Sequence, residues 1–354
     1  MTDKEIKQLE NLITVPSPSG FEGYIADYIK DQVLEVLKEG NVEVDFQKNV
    51  IVKIDGVDTS KTIMIDAHLD QIGYVVTNIS KEGLLSIGML GGSDSSIISA
   101  RHLNIITDGG IINAVVDRTH SHLVYDEDDE NVGNLSDAQI DIGVRRFDEV
   151  SKYVKIGDPV VFHPHFYKLM EDFYAGYGFD DKAGCWVLLN TIKKFAKSKP
   201  PINIVFVFSS QEETGTRLPT IVNRFNPSAI ISIDVTFGTD YGFGDVLDRQ
   251  VGTCELGNGG VIYRGLGLDK EFYLALEKTA ITKKLPFQTQ ANAISGGFTS
   301  LMVSSELNGI KASVIGVPLR NMHTPVEIIC LKDLMNVSKL LTSFLKNPKI
   351  SELI

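Results

Sequence analysis

The sequence predicts an α/β fold, a mostly parallel central sheet flanked by helices, with an inserted small all-β unit. Three observations predict it. Four short runs, Thr62 to Ala67, Ile202 to Phe208, Ala229 to Val235 and Ala312 to Val317, are β-branched and nearly continuously apolar, as strands buried on both faces are. Helical patterns lie among them, including Ala183 to Lys197, with Trp186, Leu189, Ile192 and Phe195 in phase, and Asp269 to Lys284; alternation of strand and helix implies parallel pairing. Between Ile72 and about Phe162 the texture changes to short alternating runs separated by Gly-rich turns, the pattern of a small β structure.

The elements follow in order. Thr2 and Glu5 have the spacing of a capping box ahead of Ile6, Leu9, Leu12 and Ile13, so a first helix runs to about Val15. Pro16-Ser17-Pro18-Ser19-Gly20 breaks it, and Ile25, Tyr28, Ile29, Val33, Val36 and Leu37 line one face of a second helix that ends at Gly40. From about Val42 the period becomes two. The insertion carries the runs Ile72 to Ile79, Leu84 to Ile87, Leu103 to Asp108 and Ile111 to Val116. Its acidic block Asp126 to Glu130 is a solvated loop, because adjacent like charges repel and seek water.

A length of 354 residues exceeds what one core usually serves. The division expected is 1–70 plus 167–354 for the main domain and 71–166 for the insertion. With 34 Lys and Arg against 46 Asp and Glu, no broad footprint for nucleic acid or an anionic membrane is expected. Three widely spaced cysteines, Cys185, Cys254 and Cys330, fit neither a disulfide framework nor a thiolate zinc finger and point to a reducing cytoplasm. The N-terminus Met-Thr-Asp-Lys-Glu-Ile-Lys lacks the apolar stretch of a signal peptide, and no run nears the ~18 apolar residues of a membrane span.

The chemistry-bearing residues fall at the C-terminal ends of the four buried runs. The first leads into His68-Leu69-Asp70, the second into Gln211-Glu212-Glu213, the third holds Asp234 and the fourth leads to Arg320-Asn321-Met322-His323. In open α/β sheets the ligand crevice lies outside those ends. Asp180-Asp181 adds two carboxylates before the Ala183 helix, whose N-terminal dipole favours negative charge. Several carboxylates gathered in one buried place require a cation to offset their repulsion. Nitrogen and oxygen donors without thiolates suit zinc, cobalt or manganese, and two ions suit the charge of Asp180, Glu213 and Asp234 together. Glu212, beside a ligand but outside the set, is available as a general base.

These motifs carry a resemblance. Pro18-Ser19-Gly20-Phe21-Glu22, Ala67-His68-Leu69-Asp70, Phe179-Asp180-Asp181-Lys182-Ala183-Gly184, Gln211-Glu212-Glu213-Thr214-Gly215, Ile233-Asp234 and Arg320-Asn321-Met322-His323-Thr324-Pro325-Val326-Glu327 resemble, in order and spacing, the cytosolic di-metal aminopeptidases of the glutamyl, deblocking and tetrahedral type, co-catalytic zinc peptidases. The resemblance implies a zinc-peptidase-like fold and a metal-dependent aminopeptidase that releases N-terminal residues from short peptides using metal-activated water. It implies that His68 and Asp234 hold one metal, Glu213 and His323 the other, and Asp180 bridges them. It further implies that Asp70 fixes the His68 imidazole, that Glu212 is the general base and acid, and that the Asp180–Asp181 peptide is cis. Two divalent ions per subunit follow, Zn²⁺ first, with Co²⁺ or Mn²⁺ as alternatives. The insertion is implied to be a dimerisation domain, and the protein a homo-oligomer, a dimer or a dodecamer. The sequence departs from the family pattern at Gln71, where Glu is usual, and at Gly296-Gly297-Phe298-Thr299-Ser300, which lacks the usual Asp.

Two other readings stand beside this one. An N-acyl amino-acid amidohydrolase or carboxypeptidase could use a similar centre, and a catalytically silent binding protein could keep the fold, although none of the five ligands is missing. Glycoside hydrolysis requires two carboxylates ~5–10 Å apart and leaves the histidines without a task. His120 with His122, and His163 with His165, lack an accompanying carboxylate motif; Pro164 lies inside the second pair. Cys185 is expected to pack beneath its helix, and Gly257-Asn258-Gly259-Gly260 is loop, with no nucleotide-binding context.

Overall fold

The computed structural model describes residues 1–117, 135–242, 244–293 and 309–354. An eleven-stranded sheet forms its centre. Four adjacent strands, Ile202–Ser209, Asp58–His68, Ala229–Phe237 and Lys311–Arg320, run parallel. They contain the four apolar runs, and alternate residues reach opposite cores. Ile63, Ile65 and Ala67 face the helices Asp3–Thr14, Gly23–Leu34, Phe179–Phe195, Lys270–Lys283 and Leu331–Leu345, whereas Met64 faces Leu218–Phe225 with Val205, Val207 and Ile230.

The sheet as a whole is mixed, which corrects the expectation of a mostly parallel one. Val42–Val44 and Val50–Ile54 flank one side antiparallel, and Glu327–Cys330, Phe173–Gly176 and Phe166–Lys168 flank the other. The connections explain the direction. Only six residues separate Arg320 from Glu327, too few for the crossover that a parallel neighbour needs.

Helix ends follow local chemistry. The Thr2–Glu5 capping box forms as expected, and the Asp269 side chain caps Lys270–Lys283 by accepting from the Phe272 amide at 2.9 Å. The second helix stops at Leu34 rather than near Gly40, and the Val36 and Leu37 amides share the Val33 carbonyl in its closing turn.

A six-stranded closed barrel lies between Asp58–His68 and Phe179–Phe195 in the chain. Its strands, in spatial order, are Gly73–Ile79, Leu85–Leu90, Ile140–Asp141, Gly110–Val116, His102–Thr107 and Pro159–Phe162, around a core of its own that includes Tyr74, Ile105, Val160 and Phe162. Closure removes the open edges of so small a sheet. The acidic block Asp126 to Glu130, His120, His122 and Gly296 to Ser300 lie outside the described residues. Among the described residues no helix is long and apolar enough to cross a membrane.

Candidate metal centre

Parallel register brings the strand ends together. Ser209 pairs with His68 and Asp234 with Gly316, so the ends of all four central strands open on one edge of the sheet. The Asp180–Asp181 peptide, cis, sits where Phe179–Phe195 meets that edge, and both residues have non-helical backbone angles. Two groups of potential ligands result, His68 with Asp180 and Asp234, and Asp180 with Glu213 and His323; within each group the ligand atoms lie within 4.8 Å of one another. Asp180 belongs to both. Its Oδ1 is 3.0 Å from His68 Nε2 and its Oδ2 is 3.3 Å from His323 Nε2. His68 Nε2 is 3.9 Å from Asp234 Oδ1, and His323 Nε2 is 3.3 Å from Glu213 Oε2.

The electrostatics show three carboxylates in one buried place. Burial, with Asp180 adding to it, pushes the Glu213 carboxyl up to about 10. Burial also pushes Asp234 well above the usual range, against the opposing pull of His68 and with Asp180 and Glu212 adding to the rise. Asp180 goes the other way, because hydrogen bonds with His323 and His68 overcome its burial. Glu213 Oε1 is buried and has no hydrogen-bond partner. An unpaired buried oxygen on a carboxylate whose other oxygen faces an imidazole is the donor arrangement that a divalent cation completes, and with Asp180 shared by both groups the residues fit a two-ion site.

The surrounding residues hold the ligands from behind. The Asp70 carboxylate is fully buried and accepts from the Glu212 amide at 3.0 Å and the Glu213 amide at 3.1 Å. It lies 3.5 Å from His68 Nδ1, whose nearer contact is the Asp70 backbone carbonyl at 3.0 Å. Asp181 accepts from the His68 amide at 3.2 Å and the Gly184 amide at 3.0 Å. Glu327 accepts from the Phe179 amide at 2.7 Å through Oε2 and from the His323 amide at 3.3 Å through Oε1. Glu22 accepts from the Gly20 and Gln211 amides at 2.7 and 3.0 Å. These positions stand inside the sequence motifs, but a motif does not reveal that a carboxylate is turned inward onto amides far along the chain.

Three further positions are now placed. Gln71 accepts from the buried Lys182 ammonium, which also donates to the Val15 carbonyl at 2.7 Å. Cys185 is fully buried, its thiol 3.2 Å from the His68 carbonyl, in keeping with packing. His163 pairs with Asn104 at 2.8 Å, His165 stacks on Tyr167, and among the described residues neither joins a metal-ligand group.

An α/β sheet that gathers two carboxylate–histidine groups around one shared aspartate has the layout of a metal-dependent hydrolase. The chain belongs to the M42 glutamyl aminopeptidase family, whose model matches residues 48–340, and it is an aminopeptidase. It is 26% identical to the lysyl aminopeptidase of Pyrococcus furiosus, over 99% of this chain and 98% of that one. It is 24% identical to the glutamyl aminopeptidase of Lactococcus lactis, over 98% of each. Among solved structures, the TET1 peptidase of Pyrococcus horikoshii, described as assembling into a tetrahedron or a large octahedral shell, superposes with a TM-score of 0.86 at 27% identity, covering 97% of this chain and 99% of that one. These matches do not favour the amidohydrolase or carboxypeptidase alternative.

Proposed function

We propose that the paired group is a two-ion centre that releases N-terminal residues from short peptides, with His68 and Asp234 on one divalent ion, Glu213 and His323 on the other, and Asp180 bridging. The observation that carries this reading is the position of Asp180, each of whose oxygens faces a different histidine. Zn²⁺ suits the nitrogen and oxygen donors best, with Co²⁺ and Mn²⁺ compatible. When bound, such ions polarise the scissile carbonyl and lower the pKa of water.

The protein's own residues supply the proton path. Glu212 is fixed through its amide on Asp70 and follows Gln211, whose φ of 58° turns the chain at the strand end. Burial raises the Glu212 carboxyl, and Asp70 and Asp180 add to this against His68; upward is the direction a group that both takes and returns a proton requires. Glu212 takes the proton from the attacking water as its oxygen bonds to the carbonyl carbon. It then delivers that proton to the leaving amide nitrogen as the C–N bond breaks.

The test is hydrolysis of Glu, Asp, Leu, Ala and Lys anilides, with an N-acetylated control, in chelator and after Zn²⁺, Co²⁺ or Mn²⁺ is restored. Metal-dependent cleavage of free-amine substrates alone is expected; cleavage of the blocked control alone would overturn the reading. Relatives named for lysyl and for glutamyl substrates match at similar identity, so the same panel assigns the preferred side chain. Glu212→Gln is expected to retain both ions and the fold while losing at least ~10²-fold in kcat, the usual size of a general acid–base contribution. Near-normal turnover in that variant would remove Glu212 from the path.

The barrel, within 71–166, is proposed as the dimerisation unit and the rest, 1–70 plus 167–354, as the peptidase domain, with dimers or dodecamers as the assembled form. The cytoplasm is the proposed compartment, supported by the three free, buried cysteines. Light scattering on the purified protein gives the assembly directly, and a monomer at micromolar concentration would overturn it.

A further inference from the structure

Resting on the two-ion reading above, we infer that the barrel is part of the metal centre, its Gly91–Gly92 turn positioning Glu213 and His323, the pair assigned to one of the two ions. The turn follows Leu85–Leu90, whose last residue pairs with Gly73, so the barrel wall fixes its location. Gly91 has a φ of +85°, and a Cβ placed on it would stand 3.1 Å from Glu213 Cβ, 3.3 Å from Glu213 Oε2 and 3.0 Å from Ile72 Cγ2. The barrel backbone therefore closes on the Glu213 side chain so tightly that a methyl group at Gly91 fits only if Glu213 or Ile72 shifts by a few tenths of an ångström.

The next residue reaches the second ligand. A Cβ on Gly92 would stand 3.6 Å from His323 Nδ1 and 3.9 Å from its Cε1, so the Gly92 backbone lies against the Nδ1 edge of the His323 ring. With Nε2 facing Asp180 and Glu213, a turn packed against the Nδ1 edge orients the ring so that Nε2 points to where an ion would sit. His323 needs such a support, because its side chain keeps 35% exposure whereas His68 keeps 3%. His68 and Asp234 are carried directly by, or at the end of, central strands. The barrel turn thus acts on one ion's ligands and leaves the other's to the sheet.

The experiment compares ion stoichiometry and affinity in the full-length wild type, Gly91→Ala, Gly92→Leu and Gly110→Ala, using equilibrium dialysis with Zn²⁺ and the visible absorption of Co²⁺-loaded protein, alongside thermal melts in chelator. Gly110 also has positive φ (+116°) but meets nothing within 4 Å, so Gly110→Ala carries the backbone cost without the contact. The expected result is that Gly91→Ala and Gly92→Leu bind one ion normally and the other ~10–100-fold more weakly, the range seen when groups that orient ligands are lost, while Gly110→Ala binds both normally. Should Gly91→Ala fail to fold, Gly92→Leu decides, since Gly92 has no positive φ and its added bulk meets the imidazole. Two ions bound at wild-type affinity in Gly92→Leu, or equal loss in Gly110→Ala, would overturn the inference. Fewer than two ions in the wild type would instead overturn the two-ion reading itself.

Discussion

Asp70 carries two tasks at once. Its carboxylate receives both amides of the Glu212–Glu213 pair while its backbone carbonyl touches His68 Nδ1, so one residue holds the proposed general base and, in Glu213 and His68, a proposed ligand of each ion. Asn at this position keeps one acceptor oxygen and replaces the other with a donor that faces an amide donor, leaving a buried amide unpaired. Asp70→Asn is therefore expected to retain the fold and weaken ion binding by ~10–100-fold, measured by competition against a chromogenic chelator. Unchanged affinity would show that the amide contacts do not position the ligands. Chemistry at this scale was partly legible in the sequence: His68, Asp70, Asp180, Glu212, Glu213 and His323 stand at or just past strand or helix ends, Asp234 lies three residues inside the end of its strand, and the structure brings them to one edge. The hydrogen-bond directions were not legible, because the amides that Glu327 receives lie 148 residues before it at Phe179.

At the scale of elements, burial pattern and connection length decide what a sequence reveals. The four central strands were legible because both of their faces are apolar, and the strand runs Gly73–Ile79, His102–Thr107 and Gly110–Val116 because each is six or seven residues rich in Val, Ile and Thr set off by turns. Ile140–Asp141 and Pro159–Phe162 are two and four residues long, too short for a period to emerge, although they close the barrel. Strand direction at the sheet flanks was hidden for a related reason, since Val50–Ile54 is almost wholly buried and reads like a parallel core strand. What joins these elements at the site is Glu327, which opens the strand Glu327–Cys330 and ties the start of Phe179–Phe195 to the loop of His323. Removing it leaves several buried amides unpaired, at ~1–3 kcal/mol each before relaxation. Glu327→Ala is expected to lower stability in chelator by at least ~2 kcal/mol, read from urea denaturation, and a change below ~0.5 kcal/mol would show that water replaces the carboxylate.

For the molecule as a whole, the gathered carboxylates couple stability, pH and metal. In the metal-free chain burial is the first cause that raises Glu22 to about 7 and Glu213 to about 10, and that places Asp181, Asp234 and Glu327 well above the usual range. His68 is also raised, hydrogen bonds to Asp180 and Asp70 overcoming its burial. A group with a raised folded-state pKa contributes stability that is present below its unfolded value and is lost as pH climbs through the folded one. Lys182 opposes this, since burial lowers it to about 7, but it is one group against several. Asp180 is lowered and acts only at acid pH. The chelated protein is thus expected to lose stability steadily from pH 6 to pH 9. Ions are expected to reverse the sign, because binding at the proposed ligands would require Glu213, Asp234 and His68 to surrender protons and would therefore strengthen as pH rises. The gap in melting temperature between Zn²⁺-loaded and chelated protein should widen by at least ~3 °C across that range, measured at matched ionic strength, whereas parallel curves would show that these carboxylates do not exchange protons for metal.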